Sequence, residues 1–310
     1  MTVDRRKVLG GLALATSLPA AQAMGKPLRA PTGDKRQASE RRGYADGPMG
    51  QTHYRVQGDG PVVLLLHETP WYSVQYTKVQ PLLAQAGFRS IAPDTPGSGF
   101  SPAPGGDPSL HDYAAQMIAV LDALKVKRAT IIGDHTGAAI AVRLAAAFPS
   151  RVEGIVTYGV PLYSDAERRD RLGRFNSTYA PPLRLREDGT HLSDRFTYVR
   201  RVIDRETGSL EAVQESTVSY MLAADRQWHA LHAVFTHPTM AGDLRAVRAP
   251  GLFLSSADDS LHQRTLQARA LRPDFGYHAF NGGGPHLVYD QPQPWSEAVT
   301  RFLGTLPRAR

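Results

Sequence analysis

The sequence predicts an α/β protein in which a mostly parallel β-sheet is flanked by helices and interrupted by a helical cap insertion. From residue 51 onward, short apolar runs alternate with amphipathic helical patterns, and this order is typical of parallel strands joined by helices. Residues 162–238 break the alternation, because they are rich in arginine and contain no clear core strand. An insertion of that size between two strands of one sheet is typical of a cap.

Seven apolar runs are predicted as strands, in the chain order THYRVQG, VVLLL, FRSIAP, ATII, RVEGIVTYGV, GLFL and FGYHAF. The first alternates like an exposed early strand, and the second has the continuous apolar character of a strand buried on both faces. Four helices follow from helical spacing of apolar residues: SLHDYAAQMIAVLDALKV, AAIAVRLAAAF, QRTLQARALR and PWSEAVTRFLGTL. The first of these helices has Ser109 as its predicted N-cap, with Asp112 three residues later.

The amino-terminal residues resemble an export signal. A basic start (DRRK) precedes a short apolar run and the sequence AQA, which predicts a twin-arginine signal peptide over residues 1–23 and a periplasmic or secreted location. Residues 24–43 contain proline, glycine, serine and several bases without periodicity, and are predicted to be a linker. The remaining predicted divisions are a core formed by 44–161 and 239–310 and a cap formed by 162–238.

Composition excludes several classes of function. The net charge of +7 falls to +5 without the predicted signal peptide, and the basic runs lack interleaved aromatic residues, so we expect no nucleic-acid partner. No stretch approaches the roughly 20 apolar residues of a membrane-spanning helix. The chain has no cysteine, which excludes a lipoprotein anchor, thiolate nucleophiles and iron–sulfur clusters. We therefore expect a small-molecule substrate and no membrane anchor, and the oligomeric state stays open.

The sequence GDHTG at residues 133–137 contains the central candidate catalytic residue. It lies between a predicted strand and a predicted helix, the context in which G-x-S-x-G presents a nucleophilic serine, but His135 takes the place of the serine. Such a turn needs small residues two positions before and after its centre, and Gly133 and Gly137 flank His135 in this way. A centre at Asp134, as in a dehalogenase or epoxide-hydrolase mechanism, is the minority interpretation, because isoleucine and threonine would then occupy the crowded positions.

Four further stretches occur with this motif in a fixed order. They are LLLHETP, DTPGSGFS, PGLFLSSADD and GGGPHLVYDQP. Together the five stretches resemble the α/β-hydrolase superfamily, in particular its capped branch of epoxide hydrolases, dehalogenases and C–C hydrolases. The resemblance extends from about residue 44 to the C terminus, and the combination of all five stretches in order makes it specific.

The resemblance implies roles for two residues near the C terminus. His286 is expected to be the general base and Asp259 its orienting acid, in the chain order of the superfamily. Asp258 is a neighbouring candidate for the acid, but Asp259 is better placed relative to the strand GLFL. A loop histidine that caps the last helix is the alternative interpretation of His286.

His135 leaves three interpretations open. Its imidazole could attack an acyl carbonyl to give an acyl-imidazole that water cleaves, or it could act with His286 to deprotonate water or substrate. The third interpretation is an inactive elbow in a binding protein. Because Asp259 and His286 are both present, we favour an active site. Two adjacent imidazoles disfavour simultaneous protonation, so that at least one is expected to be neutral near pH 7.

Glu68 replaces the glycine that the superfamily has after its loop histidine. A carboxylate pointing inward would repel a developing oxyanion, or it could hydrogen-bond an imidazolium or act as an acid. Orientation toward solvent or toward a cap arginine is the equal alternative. The expected oxyanion donors are backbone N–H groups of Glu68 or Thr69 and of Thr136, and Trp71 is expected to line the pocket.

The cap adds arginine and aromatic residues that could bind a carboxylate or ring of a substrate, although such runs are usually solvated helix faces. His229 and His232 lie three residues apart on a predicted helix, but no third ligand follows at a suitable spacing. They are therefore interpreted as packing residues, and no metal site is predicted.

The sequence thus predicts an exported hydrolase that cleaves a small organic ester, lactone or activated C–C bond. His135, Asp259 and His286 form its expected centre, with no cofactor and no metal. The alternatives are a cofactor-free lyase or acid/base catalyst on the same fold, and a ligand-binding pseudoenzyme. A single sequence does not identify the substrate, because caps determine specificity.

Overall fold

The computed structural model of the protein describes residues 39–179, 184–223 and 228–307. They belong to one structural unit, Arg36–Arg310. The predicted signal peptide, residues 1–23, lies outside the described residues, as does most of the predicted linker. Within the described ranges, no helix combines the length and the apolar character needed to cross a membrane.

Eight strands form the central sheet: β1 Arg41–Ala45, β2 Thr52–Gln57, β3 Val62–Leu66, β4 Arg89–Pro93, β5 Ala129–Asp134, β6 Val152–Tyr158, β7 Gly251–Ser256 and β8 Gly276–Phe280. Their spatial order is β1-β2-β4-β3-β5-β6-β7-β8. β2 pairs antiparallel with β1 and with β4, and the other five pairings are parallel. The predicted α/β class with a mostly parallel sheet is confirmed.

The helices are α1 Gln80–Gln85, α2 Leu110–Ala123, α3 Thr136–Ala147, α4 Asp165–Gly173, α5 Thr190–Tyr198, α6 Leu210–Ala223, α7 Trp228–Thr236, α8 Met240–Ala246, α9 His262–Leu271, α10 Leu287–Asp290 and α11 Pro292–Leu303. One face of the sheet buries an apolar cluster with α2, α3, α8 and α9. The other face buries a second cluster with α1, α10 and α11. Both faces are covered, which explains the continuous apolar character of the central strands.

The segment between β6 and β7 forms the cap. Its described part contains the helices α4 to α7 and two short π-helical turns, Phe175–Tyr179 and Val199–Ile203, but no strand. Buried residues of the cap make a small apolar cluster of their own: Val199, Val213, Tyr220 and Trp228. The described elements of residues 162–238 are thus helical.

Two sequence expectations at the start of the core differ from the structure. β1 begins at Arg41, inside the stretch predicted as a linker, and pairs along its whole length with β2. The strand predicted as exposed, β2, is buried, with Thr52 and His53 almost inaccessible to solvent. It is buried because β1 covers one of its edges and β4 the other.

The start of α2 agrees with the sequence. Ser109 Oγ accepts a hydrogen bond from the Asp112 N–H, at 3.3 Å. In return the Asp112 carboxylate accepts one from the Ser109 N–H, at 2.8 Å. These reciprocal bonds satisfy two amide groups that the helix itself leaves unpaired, and therefore fix the first turn of α2.

Two glycine residues let α3 approach the sheet closely. A Cβ atom on Gly133 would lie 2.2 Å from the carbonyl oxygen of Gly137. A Cβ atom on Gly137 would lie 2.0 Å from the carbonyl oxygen of Leu66 in β3. The obstructing atoms belong to the backbone and cannot rotate away, so the spacing of GDHTG is a steric requirement of the turn.

We expect Gly137→Ala to destabilise the fold by about 3 kcal/mol or more, because the added methyl group forces α3 away from β3. Urea unfolding followed by circular dichroism measures the loss. Gly105→Ala is the matched control, since no heavy atom lies within 4 Å of a Cβ at that position. Equal stabilities of the two variants would contradict the steric requirement.

Candidate active site

The backbone turns sharply at His135, between β5 and α3. The residue has φ +46° and ψ −104°, in the region that a non-glycine residue rarely adopts. Its N–H donates to the carbonyl oxygen of Tyr158 in the neighbouring strand β6, at 2.8 Å. The centre of the elbow is thus His135, as the flanking glycine residues predict, and the strained backbone aims this side chain above the sheet.

The His135 ring lies between two carboxylates. Its Nε2 is 2.8 Å from Asp259 Oδ2, and its Nδ1 is 3.1 Å from Glu68 Oε2. One face stacks on the ring of Tyr158, with centroids 5.7 Å apart and planes within 5° of parallel. A Cβ atom on Gly159 would lie 2.0 Å from His135 Cδ2, so the glycine makes room for the ring.

These neighbours determine the charge of His135. Burial alone would lower the pKa of its imidazole, but attraction to the carboxylates of Asp259 and Glu68 outweighs this and holds the pKa well above its ordinary value. Burial likewise acts to raise the pKa of Asp259, yet the His135 imidazolium and the Leu261 N–H lower it overall. His135 and Asp259 therefore form a buried ion pair.

Glu68 points inward, which distinguishes between the orientations left open by the sequence. Its carboxylate contacts imidazole rings instead of solvent or a cap arginine. Oε2 faces His135 Nδ1, and Oε1 lies 3.9 Å from His286 Nδ1. The side chain is 7% exposed.

Gln75 joins Glu68 to Asp134. Its Oε1 accepts the Glu68 N–H at 3.0 Å, and its Nε2 donates to Asp134 Oδ2 at 2.7 Å. The other oxygen of Asp134, Oδ1, is buried and has no hydrogen-bond partner. Burial raises the pKa of Asp134 well above its usual range, and the negative charge of Glu68 raises it further. This favours the neutral carboxyl group at Asp134, which is unsuited to nucleophilic attack.

The loop that carries Glu68 is fixed by the neighbouring histidine. His67 Nδ1 donates to the carbonyl oxygen of Glu68 at 2.8 Å, while Nε2 accepts the N–H of Thr95 at 2.9 Å. Burial lowers the pKa of His67, which matches a neutral ring that donates at one nitrogen and accepts at the other. His67 therefore positions the loop and does not face a substrate.

His286 follows β8 in the short turn Gly284–His286 and has no exposed side-chain surface. Neither ring nitrogen has a hydrogen-bond partner. Trp71 packs beside the ring, with centroids 5.4 Å apart. The base expected from the sequence is therefore buried in the site beside Trp71, with both nitrogens available.

The expected pairing of Asp259 with His286 is not observed. Asp259 Oδ2 is bonded to His135, and its Oδ1 accepts the N–H of Leu261 at 2.7 Å. The physical reason is that an imidazole at the elbow reaches Asp259, and this replaces the usual partner. Asp258, the alternative acid, is exposed to solvent, whereas the carboxylate of Asp259 lies in the site against His135.

A cap residue that sequence reasoning missed lies on the other side of His286. Asp204 Oδ1 is 3.7 Å from His286 Nε2. The Asp204 carboxylate accepts from Arg200 Nη1 at 2.7 Å and from the Gly208 N–H at 2.6 Å, and it is fully buried. A Cβ atom on Gly208 would lie 2.9 Å from His286 Cδ2, so the cap backbone packs directly on the ring.

The expected oxyanion donors are only partly available. The Glu68 N–H is already donated to Gln75, which removes it from the expected set. Thr69 is half-buried, and its hydroxyl group has no hydrogen-bond partner. Thr136 is buried in the first turn of α3, where N–H groups have no acceptor within the helix. Thr69 and Thr136 therefore stay candidates, while Glu68 contributes its side chain instead.

Three of the cap arginines pair with acidic groups of the cap itself. Arg168 pairs with Asp165, Arg174 with Asp170 and Arg186 with Asp194, all at exposed acidic groups. His232 packs its ring edge-on against Phe175, with centroids 5.1 Å apart. These contacts agree with solvated helix faces and with a packing role for His232.

Three of the described side chains could hold a metal ion: Glu68, Asp134 and His135. Each offers one ligand atom, and these atoms lie within 4.8 Å of one another. All three are oxygen or imidazole ligands, which suit divalent ions such as zinc and manganese.

Comparisons with known proteins agree with the fold. A family described as "alpha/beta hydrolase fold" matches residues 61–206. An epoxide hydrolase of Caballeronia sordidicola is 36% identical over 118 residues, which are 37% of this chain and 36% of that protein. The bifunctional epoxide hydrolase 2 of Sus scrofa is 34% identical over 121 residues, 37% of this chain and 21% of that protein. The chain thus spans about a third or less of these relatives.

Solved structures extend the similarity over most of the chain. Epoxide hydrolase A from Mycobacterium thermoresistibile has a TM-score of 0.70 at 20% identity, over 88% of this chain and all of that chain. The structure of E-2-(acetamidomethylene)succinate hydrolase also has a TM-score of 0.70 at 20% identity, over 86% of this chain. At such identities the likeness concerns the fold alone. The chain therefore has the α/β-hydrolase fold, with local sequence similarity to epoxide hydrolases.

We expect Asp259→Asn to lower the pKa of His135, because the substitution removes a negative charge 2.8 Å from its Nε2. Titration of the imidazole by nuclear magnetic resonance measures the change. A pKa of His135 that is the same in both proteins would contradict the buried ion pair.

The same ion pair makes stability depend on pH. Because folding raises the pKa of His135, its contribution is complete below the ordinary histidine value of about 6.5 and is lost as pH rises through the raised value. We therefore expect the free energy of unfolding to fall between about pH 6 and about pH 9, and to fall less in Asp259→Asn. Urea unfolding at the two pH values measures both differences.

Proposed function

We propose that the protein is a hydrolase, in which water activated by His286 cleaves a small organic ester, lactone or activated C–C bond. One observation carries the proposal: His286 is buried, and among the residues that the structure describes neither of its ring nitrogens has a hydrogen-bond partner. A buried polar ring normally has partners. An imidazole that has no hydrogen-bond partner and lies beside two carboxylates is suited to accept a proton during a reaction.

The surroundings of His135 argue against its acting as a nucleophile. Each of its nitrogens faces a carboxylate, and the raised pKa of the ring favours imidazolium. An imidazolium has no lone pair with which to attack a carbonyl carbon. In the proposal His135 therefore supplies a fixed positive charge at the elbow, where negative charge develops on the substrate.

The attacking water is assigned to the space between Glu68 and His286. Glu68 Oε1 and His286 Nδ1 are 3.9 Å apart, a separation that one water molecule can bridge with two hydrogen bonds of ordinary length. Glu68 would orient the water, His286 Nδ1 would accept its proton, and the hydroxide so formed would attack the substrate carbon. The proton would then pass to the leaving group.

In the proposal, Asp204 has the role beside His286 that the sequence predicted for Asp259. It lies 3.7 Å from His286 Nε2, so its negative charge would stabilise the imidazolium that forms when His286 accepts a proton. Because Arg200 and Gly208 bind the same carboxylate, Asp204 is held in place. We regard Asp204 as a positioning residue.

Oxyanion stabilisation is assigned to the start of α3. Backbone N–H groups at the first turn of a helix point away from it and carry partial positive charge. The N–H of Thr136 lies there, directly after His135, and Thr69 is on the facing loop. Trp71, packed on His286, would exclude bulk water from the reacting atoms.

Similarity to relatives named epoxide hydrolases widens the substrate class to be tested. Opening of an epoxide by water needs the same activated water and a proton for the ring oxygen. We therefore include epoxides and haloalkanes beside esters and lactones in the substrate panel.

A cofactor-free lyase uses a buried base equally well, and isotope incorporation distinguishes it. Reaction in ¹⁸O-labelled water places one labelled oxygen in the product of a hydrolase, whereas a lyase incorporates none. A ligand-binding pseudoenzyme would retain ligand without turnover, and His135→Ala would alter only its affinity.

We expect His286→Gln to lower kcat by about 10²- to 10⁴-fold, the contribution typical of a general base. His278→Gln is the matched control, since His278 lies in β8, eight residues before His286, and packs on Phe280. Steady-state kinetics on the panel substrate with the highest turnover measures both variants. Unchanged turnover in His286→Gln would refute His286 as the base.

We expect Asp204→Asn to lower kcat while the amide retains a similar shape. If the substitution lowered kcat only by disturbing the fold, the free energy of unfolding would also fall. Both kcat and the free energy of unfolding are therefore measured. Loss of kcat with an unchanged free energy of unfolding supports positioning by charge, and unchanged kcat refutes it.

Export is also part of the proposal. The twin-arginine pattern of residues 1–23 supports a periplasmic or secreted location. Replacing Arg5 and Arg6 by lysine and fractionating the producing cells tests this. Retention of the variant inside the cell supports export by this route, and unchanged export refutes it.

A further inference from the structure

We propose that Glu68, Asp134 and His135 bind one divalent first-row transition-metal ion beside His286. Binding would displace the protons that the metal-free site holds on His135 Nδ1 and on Asp134. The ion would then replace the His135 imidazolium as the positive charge of the proposed hydrolysis and would polarise its water. That role rests on the proposed function, whereas binding of the ion does not.

The distances between ligand atoms suit a single ion. Two ligand atoms bound to one tetrahedral zinc at about 2.1 Å lie about 3.4 Å apart. Glu68 Oε2 and His135 Nδ1 are 3.1 Å apart, and the ligand atoms of the three residues lie within 4.8 Å. Closing a separation of 4.8 Å to the required value takes a movement of about 1.4 Å.

Two residues with unpartnered buried atoms point to a ligand at this place. Asp134 is 4% exposed, and among the described residues its Oδ1 has no hydrogen-bond partner, although Gln75 binds its other oxygen. His286 is 1% exposed and has no hydrogen-bond partner in that part of the chain at either nitrogen, with Nδ1 3.9 Å from Glu68 Oε1. A buried polar atom without a partner is costly unless something else binds it, and a cation that replaces the proton of Asp134 would satisfy its free oxygen.

The charges favour a cation in addition to the histidine rings. Glu68, Asp134 and Asp259 bring three carboxyl groups into one buried region. In the part of the chain that the structure describes, the ion pairs of Glu68 and Asp259 are with histidine rings only. Buried carboxylates are stable when they are paired or coordinate a metal.

Asp259 and Gln75 then act as supports for the metal ligands. Asp259 holds His135 through Nε2, which leaves Nδ1 to face Glu68. A carboxylate that accepts from the second nitrogen of a ligating histidine fixes its orientation and increases its basicity. Gln75 fixes the loop of Glu68 and one oxygen of Asp134. His286 stays outside the ligand set as the base for a bound water, so the arrangement has three protein ligands and one open position, which is typical of catalytic zinc.

The experiment is titration of the EDTA-treated full-length protein with Co²⁺, followed by visible absorption of the bound ion. We expect one equivalent to bind with a d–d spectrum of nitrogen and oxygen ligands. Glu68→Gln and His135→Asn are expected to weaken binding by at least about 100-fold, and Asp259→Asn by about 10- to 100-fold. Asparagine is chosen at position 135 because it tolerates positive φ better than most residues.

The control is His229→Asn, which removes one histidine of the cap pair and is expected to leave Co²⁺ affinity unchanged. Circular dichroism of each metal-free variant verifies the fold. If Glu68→Gln does not fold, His135→Asn and Asp259→Asn give the same comparison.

The outcomes separate the two proposals. Failure of the wild-type protein to bind one equivalent, equal affinity in Glu68→Gln, or loss of binding in His229→Asn each overturns the metal site. Hydrolysis that continues in EDTA, with no Co²⁺ binding, refutes the metal site and leaves the proposed function intact. One-to-one binding that needs Glu68 and His135 supports the metal site even if none of the tested esters, lactones or epoxides is turned over.

Discussion

The row of charges Glu68–His135–Asp259 is the interaction on which the rest of the site depends. One imidazole lies between two carboxylates, 3.1 Å from one and 2.8 Å from the other. Such a group is stable in a buried place only if each charge has its partner. The orientation of Glu68, the separation of Asp259 from His286 and the approach of Asp204 from the cap all accompany this arrangement.

The fold explains why these residues meet although they are far apart in the chain. Glu68, His135, Asp259 and His286 follow β3, β5, β7 and β8, whose parallel directions bring their carboxyl ends to one edge of the sheet. Ligand sites of open α/β sheets lie at this edge. The α/β-hydrolase fold is therefore retained. Two replacements within it, a glutamate in the loop after β3 and a histidine at the elbow, alter the chemistry available.

Sequence reasoning predicted the frame because its signals are local. Alternating strands and helices, the glycine spacing around His135 and the N-cap at Ser109 each depend on neighbouring residues, and the structure agrees with all of them. The choice of Asp259 over Asp258 was also possible, since it follows from position after a strand. The pairing of side chains within the site was harder to predict from the sequence, because the side chain at the elbow determines which partner Asp259 reaches.

No pattern in the sequence alone marks Asp204 or Gln75 as part of the site. Asp204 lies in the cap, 82 positions before His286 in the numbering, and meets it only because the backbone at Gly208 packs on the ring. Gln75 lies in a short 3₁₀ turn after β3, where its two hydrogen bonds depend on the positions of the end of β5 and of the preceding loop. The first strand was missed for a similar reason, since RRGYA has little apolar character and is recognisable only beside β2.

The origin of Asp204 in the cap links the proposed base to the position of the cap. Glu68 and Trp71 beside His286 belong to the core, whereas Asp204 and Gly208 belong to the cap. The surroundings of His286 are therefore complete only when cap and core lie against each other. In the proposed function, displacement of the cap would take the carboxylate of Asp204 away from His286 Nε2, so the strength of the base would depend on the placement of a second layer of the protein.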